Sequence, residues 1–211
     1  MSARGIPFVV AAPSGTGKTT VCLALRDRDP ELVLSVSHTT RPQRSAERNG
    51  EHYHFVSETE FQRLIDADAF LEWAVYNGNR YGTSWKAIEG SLASGRDVLL
   101  EIEVQGARQV RQRLPGAKLI FLLPPSEQAL VRRLKGRGTD SAEEVERRLR
   151  TAQDELKAVE EFDYAVFNDD LELCVAELQR IIAAERAGAA AELRRRFAPA
   201  AAAARLREGA A

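Results

Sequence analysis

Ile6-Pro7-Phe8-Val9-Val10-Ala11-Ala12-Pro13-Ser14-Gly15-Thr16-Gly17-Lys18-Thr19-Thr20 is an apolar run that breaks into a loop of small residues and opens into the helical pattern Val21-Cys22-Leu23-Ala24-Leu25. A buried strand, a tight loop and a helix in that order are the layout of a phosphate-binding loop. In such a loop successive backbone N–H groups turn inward to make an anion-sized nest, and the helix N-terminus adds unpaired donors and partial positive charge. The candidate phosphate site is therefore Ala12, Pro13, Ser14, Gly15, Thr16, Gly17, Lys18, Thr19 and Thr20. Lys18 would reach the β- and γ-phosphates of a bound nucleotide, and the Thr19 hydroxyl would ligate Mg²⁺. The motif normally begins with Gly; here Ala12 stands in that position, where Gly is favoured for backbone freedom and close packing.

Working outward, 44% hydrophobic and 29% charged residues read as an ordinary soluble protein, and 211 residues are long enough for one α/β domain with insertions. At a net charge of -1 nothing argues for bulk nucleic-acid binding, so a basic site must be built locally. Cys22 and Cys174 each sit in an apolar helical pattern and read as small core residues in a reducing compartment. No stretch approaches the length of a membrane span, and the first strand follows with no apolar signal segment, so the expectation is a cytoplasmic protein. His52 and His54 would share one face of a strand, but no third ligand accompanies them, which disfavours zinc.

After the first helix, Leu32 to Val36 reads as a strand leading into a long polar stretch, Ser37 to Gly50. Arg41 and Arg44 lie three apart around a proline; they either converge on one anion, for which the guanidinium fork is suited, or belong to a solvated basic loop. His52 to Val56 alternates like a short strand with Asn49-Gly50 as its turn, and Ser57-Glu58-Thr59-Glu60 has capping-box spacing before a helix. Phe70 to Tyr76 is a strand carrying one acid, Glu72, among apolar neighbours, and such a carboxylate needs an arginine or a ligand donor. Asn77 to Ser84 reads as turn chemistry, followed by a helix to Ala93.

Asp97 to Glu103 reads as a buried parallel strand with Glu101 and Glu103 on one side near its carboxyl end, where α/β sheets bind ligands; both are candidates for a metal or its waters. A helix over 104–114 and a strand over 118–123 follow. Helices over 126–135 and from Ser141 onward flank Gly136-Arg137-Gly138. Their arginines either form a lid or face solvent. Tyr164 to Phe167 is the last strand, Asn168-Asp169-Asp170 a turn and N-cap, and Leu171 to Ala184 the last core helix. From Glu185 onward six arginines stand against three glutamates, a local charge of +3, in an alanine-rich tail expected to extend the helix and fray.

Ser37-x-Thr39-Thr40-Arg41-x-x-Arg44, Asn49-Gly50-x-x-Tyr53-x-Phe55, Phe70-Leu71-Glu72-Trp73-Ala74, Tyr81-Gly82-Thr83, Gln105-Gly106, Gly136-Arg137-Gly138-Thr139 and Asn168-Asp169-Asp170 together resemble guanylate kinase, over about residues 5 to 184. The resemblance implies an α/β P-loop nucleoside monophosphate kinase fold with a parallel core sheet flanked by helices. It divides the chain into a core (1–36, 88–125 and 157–184), a GMP-binding insertion (37–87), a helical lid (126–156) and a tail (185–211). The implied reaction is transfer of the γ-phosphoryl group of Mg-ATP to GMP and dGMP, in nucleotide recycling. ATP and GMP are the implied partners, with neither nucleic acid nor membrane among them, and nothing chooses between monomer and homo-oligomer. By resemblance Arg41, Arg44, Tyr53 and Tyr81 would hold the GMP phosphate, while Ser37, Glu72 and Thr83 would hold the guanine. Lys18, Arg41, Arg137 and Arg148 would act on the transferring group, and Asn168 would join the ATP site. Glu101 is an expected GMP contact, and either it or Glu103 would serve the Mg²⁺ shell through water. A scaffold module keeping the fold without the activity, and a kinase with a different acceptor, are the rival readings.

Overall fold

The computed structural model describes residues 4–135 and 142–208. In chain order the elements are β1 (Pro7–Ala11), α1 (Lys18–Arg28), β2 (Leu32–Leu34), β3 (His38–Thr39), β4 (His54–Phe55), α2 (Glu58–Asp66), β5 (Phe70–Tyr76), β6 (Asn79–Ser84), α3 (Trp85–Ala93), β7 (Asp97–Glu101) and α4 (Val104–Arg113). Then follow β8 (Lys118–Leu123), α5 (Glu127–Lys135), α6 (Ala142–Leu156), a 3₁₀ turn (Lys157–Glu161), β9 (Tyr164–Phe167), α7 (Leu171–Arg186), α8 (Ala191–Arg196) and α9 (Pro199–Glu208). Strand order is β2-β7-β1-β8-β9 in a five-stranded sheet and β4-β3-β6-β5 in a four-stranded one. The larger sheet is flanked by helices, the mixed α/β architecture expected.

The chain divides into two compact units, Met1–Val9 with Glu31–Ala117, and Val10–Pro30 with Lys118–Ala211, so the boundary passes through β1. In the first unit β2 pairs parallel with β7 and β5 pairs antiparallel with β6. Phe61 of α2 stacks on Phe70 with ring centroids 4.6 Å apart, and both are fully buried. Ser57 caps α2 by accepting from Glu60 N at 3.1 Å, as the spacing predicted. In the second unit β8 pairs parallel with β9. Cys22 of α1 and Cys174 of α7 are both buried and unpaired with each other. Burial pushes the Cys174 thiol up to about 12, which suits an inert core residue. No helix among the described residues is long and apolar enough to cross a membrane.

Three sequence expectations need correction. Only Asn77-Gly78 is a turn; residues 79–84 continue as strand β6, because pairing with β5 supplies the ladder that local turn chemistry conceals. Strand β7 ends at Glu101, and Glu103 occupies the N-cap of α4, so the two acids do not share a strand face. The tail does not simply extend α7: it turns at Gly188, with φ of +65°, and forms α8 and α9. The expected Gly-Arg-Gly hinge, Arg137 and the Ser141 cap lie outside the described residues.

His38 in β3 sets a pH dependence. Its ring lies 4.7 Å from that of His54 and 5.5 Å from that of Phe70. Burial first, and the neighbouring His54 second, push it from 6.5 down to about 4, against a smaller opposing pull from Glu60. The folded chain thus keeps His38 neutral where the unfolded chain protonates it, so the unfolded state binds more protons between about pH 6.5 and 4. Stability should fall as pH drops through that window. Thermal melts between pH 7 and 5 should show the loss, and His38→Phe should flatten it; an unchanged slope in the variant would rule out His38 as the cause.

Candidate active site: two anion-binding half-sites

The phosphate loop belongs to the second unit. Gly15 and Gly17 have φ of +89° and +94°, the left-handed region that turns successive amides to one side. Space is tight there as well: a Cβ on Gly15 would stand 2.8 Å from Leu134 Cδ2, and one on Gly17 2.9 Å from Asn168 Nδ2, so those side chains would have to shift. Helix α1 begins immediately after Gly17 with no side-chain cap and no acid in its first turn, which leaves its N-terminal amides suited to an anion. Ala12 is buried and its backbone is not left-handed. The departure from Gly therefore carries no conformational strain.

The loop is fixed from behind. Asn168 donates its side-chain amide to Thr16 O at 2.6 Å, and its own N–H goes to Leu123 O at 2.7 Å, at the end of β8. Arg133 of α5 reaches the same two residues, with Nη1 3.3 Å from Thr16 O and Nη2 3.1 Å from Asn168 O. On the other flank Arg148 of α6 is 9% exposed and donates to Ser14 Oγ at 3.0 Å, while Ser14 N–H points to Glu155 Oε2 at 3.4 Å. Lys18 and Thr19 open α1, and the exposed Thr19 hydroxyl is a hard oxygen of the kind Mg²⁺ prefers. Arg133 escaped the sequence reading because nothing on a charged helix distinguishes it from Arg132.

The other half-site belongs to the first unit. Glu72 is 3% exposed, and its Oε1 accepts Thr83 N–H at 2.8 Å across the β5–β6 ladder. Thr83 is fully buried, and its hydroxyl lies 3.1 Å from Ser37 Oγ. Ser37, Glu72 and Thr83 thus form one polar cluster. Room for the acid is left by Gly106 of α4: a Cβ there would collide with Glu72 Oε2 and stand 3.1 Å from its carboxyl carbon. Gln109, one turn on, clamps Trp73 of the same strand through both backbone groups, at 3.1 and 2.6 Å.

Arg41 lies over the rings of Tyr53 and Phe55, each centroid 5.6 Å from its guanidinium carbon, and Tyr53 meets Tyr81 edge-on at 5.9 Å. Its guanidinium grips Glu47 bidentately at 2.7 and 3.1 Å. That bond holds the Glu47 carboxyl below the usual carboxylate range and raises Arg41. Glu47 also accepts Arg44 N–H at 2.8 Å, which folds the loop so that Arg41 and Arg44 are held by one carboxylate. The Arg44 side chain is exposed, and Glu101 is half-buried at the end of β7. Glu47 was missed in the sequence because it reads as one more charge in a polar loop. Among the described residues no group of His, Cys, Asp and Glu forms a metal cluster.

A sheet-and-helix core with a glycine-turned, backed phosphate loop defines a P-loop nucleotide-binding protein. The guanylate kinase family model matches residues 4–185. A guanylate kinase of Xanthomonas euvesicatoria pv. vesicatoria (strain 85-10) is 49% identical over 87% of this chain and 90% of its own length. One of Dechloromonas aromatica (strain RCB) is 52% identical over 84% and 88%. The crystal structure of guanylate kinase from Anaplasma phagocytophilum superposes with a TM-score of 0.73 at 33% identity, covering 87% of each chain. This chain belongs to the guanylate kinase family.

Gly106→Ala should push Glu72 off the Thr83 amide. The expected cost is about 1–3 kcal/mol of overpacking strain, read as a lower denaturation midpoint, together with faster hydrogen exchange at the Thr83 amide. Retained Thr83 protection would show that the glycine does not make the room.

Proposed function

We propose that this kinase transfers the γ-phosphoryl group of Mg-ATP to GMP, and to dGMP, which presents the same base and phosphate, giving ADP and the nucleoside diphosphate. The observation that carries the acceptor assignment is the buried Glu72 carboxylate, held by the Thr83 amide beside Ser37. Guanine offers two adjacent donors, N1–H and the 2-amino group, which complement a carboxylate; adenine offers an acceptor at N1, which a carboxylate repels. With adenine the carboxylate would face an acceptor in place of two donors, so discrimination of about 10⁴ or more is accessible.

The acceptor is itself a phosphate oxygen, largely anionic near neutral pH given a second pKa of about 6. No general base is required. The protein's task is to hold two anions in line and offset their repulsion. Arg41, Arg44, Tyr53 and Tyr81 hold the GMP phosphate. The loop amides, Lys18 and Thr19 hold the ATP phosphates. Arg148, already on the loop at Ser14, adds positive charge on that side. Asn168 serves the ATP site by keeping the loop in shape. The Thr19 hydroxyl would contribute an oxygen to a Mg²⁺ brought in with ATP, and the ion would supply neutralisation of phosphate charge.

A coupled ADP-release assay across GMP, dGMP, AMP, CMP and UMP tests the assignment; release with GMP and dGMP alone is expected, and equal rates with AMP would refute it. Arg41→Ala removes one charge-assisted contact and should raise the GMP Michaelis constant by roughly 10- to 150-fold. A rise confined to ATP would mean the half-sites are reversed. Lys18→Ala should lower kcat by a larger factor. Glu72→Gln should reduce the preference for GMP over AMP by at least about 10², and unchanged selectivity would remove Glu72 from base recognition.

A further inference from the structure

The family-model match ends at residue 185, yet residues 186–208 are folded and tied into the second unit. Its first anchor is Glu185, a carboxylate whose side chain is 5% exposed. Glu185 accepts from the Tyr164 hydroxyl and from Arg194 of α8, through Nε at 3.1 Å and Nη2 at 2.8 Å, and lies 3.5 Å from Lys118 Nζ. The second anchor is a backbone one: Phe197 O accepts the N–H of Ala165, in the middle of edge strand β9, at 2.9 Å. Third, the Arg205 guanidinium of α9 stacks 4.4 Å over the ring of Phe167, the last residue of that strand. Finally, Ala203 and Leu206 of α9 line a cavity of about 490 Å³ with Leu156 and Val159, at the foot of α6.

Both lines of contact lead to the phosphate loop. Phe167 is followed directly by Asn168, which holds Thr16 O, and α6 carries Arg148 and Glu155, which hold Ser14. We infer that residues 188–208 are a brace for the phosphate loop, and that Arg194 and Arg205 are positioning residues for the ATP half-site, acting through β9–Asn168 and the foot of α6. The loop has no side chains at Gly15 and Gly17 with which to hold its own shape, so its amide directions depend on what presses on Ser14 and Thr16 from outside. Small misplacements of a phosphoryl-binding group are costly in rate, about 10²-fold for 1 Å. The inference rests on the reading above only for the identity of the nucleotide at the loop.

The test compares Arg194→Ala, Arg205→Ala, the double variant and Arg194→Lys with the wild-type chain. ATP and GMP binding are measured separately by calorimetry, steady-state constants for each substrate in turn, and hydrogen exchange at the Thr16 and Gly17 amides. Arg205→Ala should weaken ATP about two- to fivefold, the loss expected for an exposed cation–π contact. Arg194→Ala should weaken ATP by about tenfold or more, as for a charge-assisted bond, with Arg194→Lys recovering part. GMP affinity should stay within about twofold, because GMP is held by other residues. Exchange at Thr16 and Gly17 should quicken in step with the ATP loss. Unchanged ATP binding, or ATP and GMP weakening together with a lower melting temperature and unchanged loop exchange, would overturn the brace. A wild-type chain that bound ATP but phosphorylated no GMP would instead overturn the proposed function, while the calorimetric ATP comparison would still decide the brace.

Discussion

An anion can be held without water only if enough N–H groups point at it, and the turn between Pro13 and Lys18 has the backbone geometry for that. Two left-handed glycines set the planes, and the absence of a cap on α1 leaves its first amides turned the same way. Such a loop is not self-supporting. Its stability comes from Asn168 and Arg133 gripping the Thr16 carbonyl and from Arg148 and Glu155 gripping Ser14. Three of these bonds take up backbone groups, the Thr16 carbonyl twice and the Ser14 N–H once, and the fourth takes the Ser14 hydroxyl. The elements around the loop, β8, β9, α5 and α6, are in this sense its supporting frame.

The Glu72 cluster solves a different problem, the burial of an acid. A carboxylate at 3% exposure is costly unless hydrogen-bonded. The β5–β6 register supplies the Thr83 amide, and the bare face of α4 at Gly106 supplies the room. The arginine clamp follows the same logic on a more exposed surface. Glu47 neutralises Arg41, ties down the Arg44 backbone and keeps the fork on the aromatic rings of Tyr53 and Phe55. A guanidinium held by a carboxylate and two rings has little rotamer freedom left.

Much of this was legible from residue order. The phosphate loop, the Ser57 and Asp170 caps and nearly every buried strand follow from local pattern, because strand alternation, helix caps and glycine requirements act over a few residues. The Ser37, Arg41, Glu72 and Thr83 set came through resemblance, since residues 46 positions apart, such as Ser37 and Thr83, give no local sign that they touch. Glu47 and Arg133 stayed hidden in charged stretches, where a partnered side chain and a solvated one have the same spelling.

By itself, then, the order of amino acids determined the P-loop α/β class, the position of the glycine turn after β1 and the presence of one acid in an apolar strand, all consequences of short-range sterics and hydrophobic period. Only the tertiary structure decided that Asn79 to Ser84 is a strand, that Glu103 leaves the sheet, that Ala12 is unstrained, and that the alanine-rich tail folds back onto β9. Those outcomes depend on what a distant segment offers, whether a ladder partner in β5 or a buried carboxylate at Glu185, and such offers exist only once the chain has closed on itself.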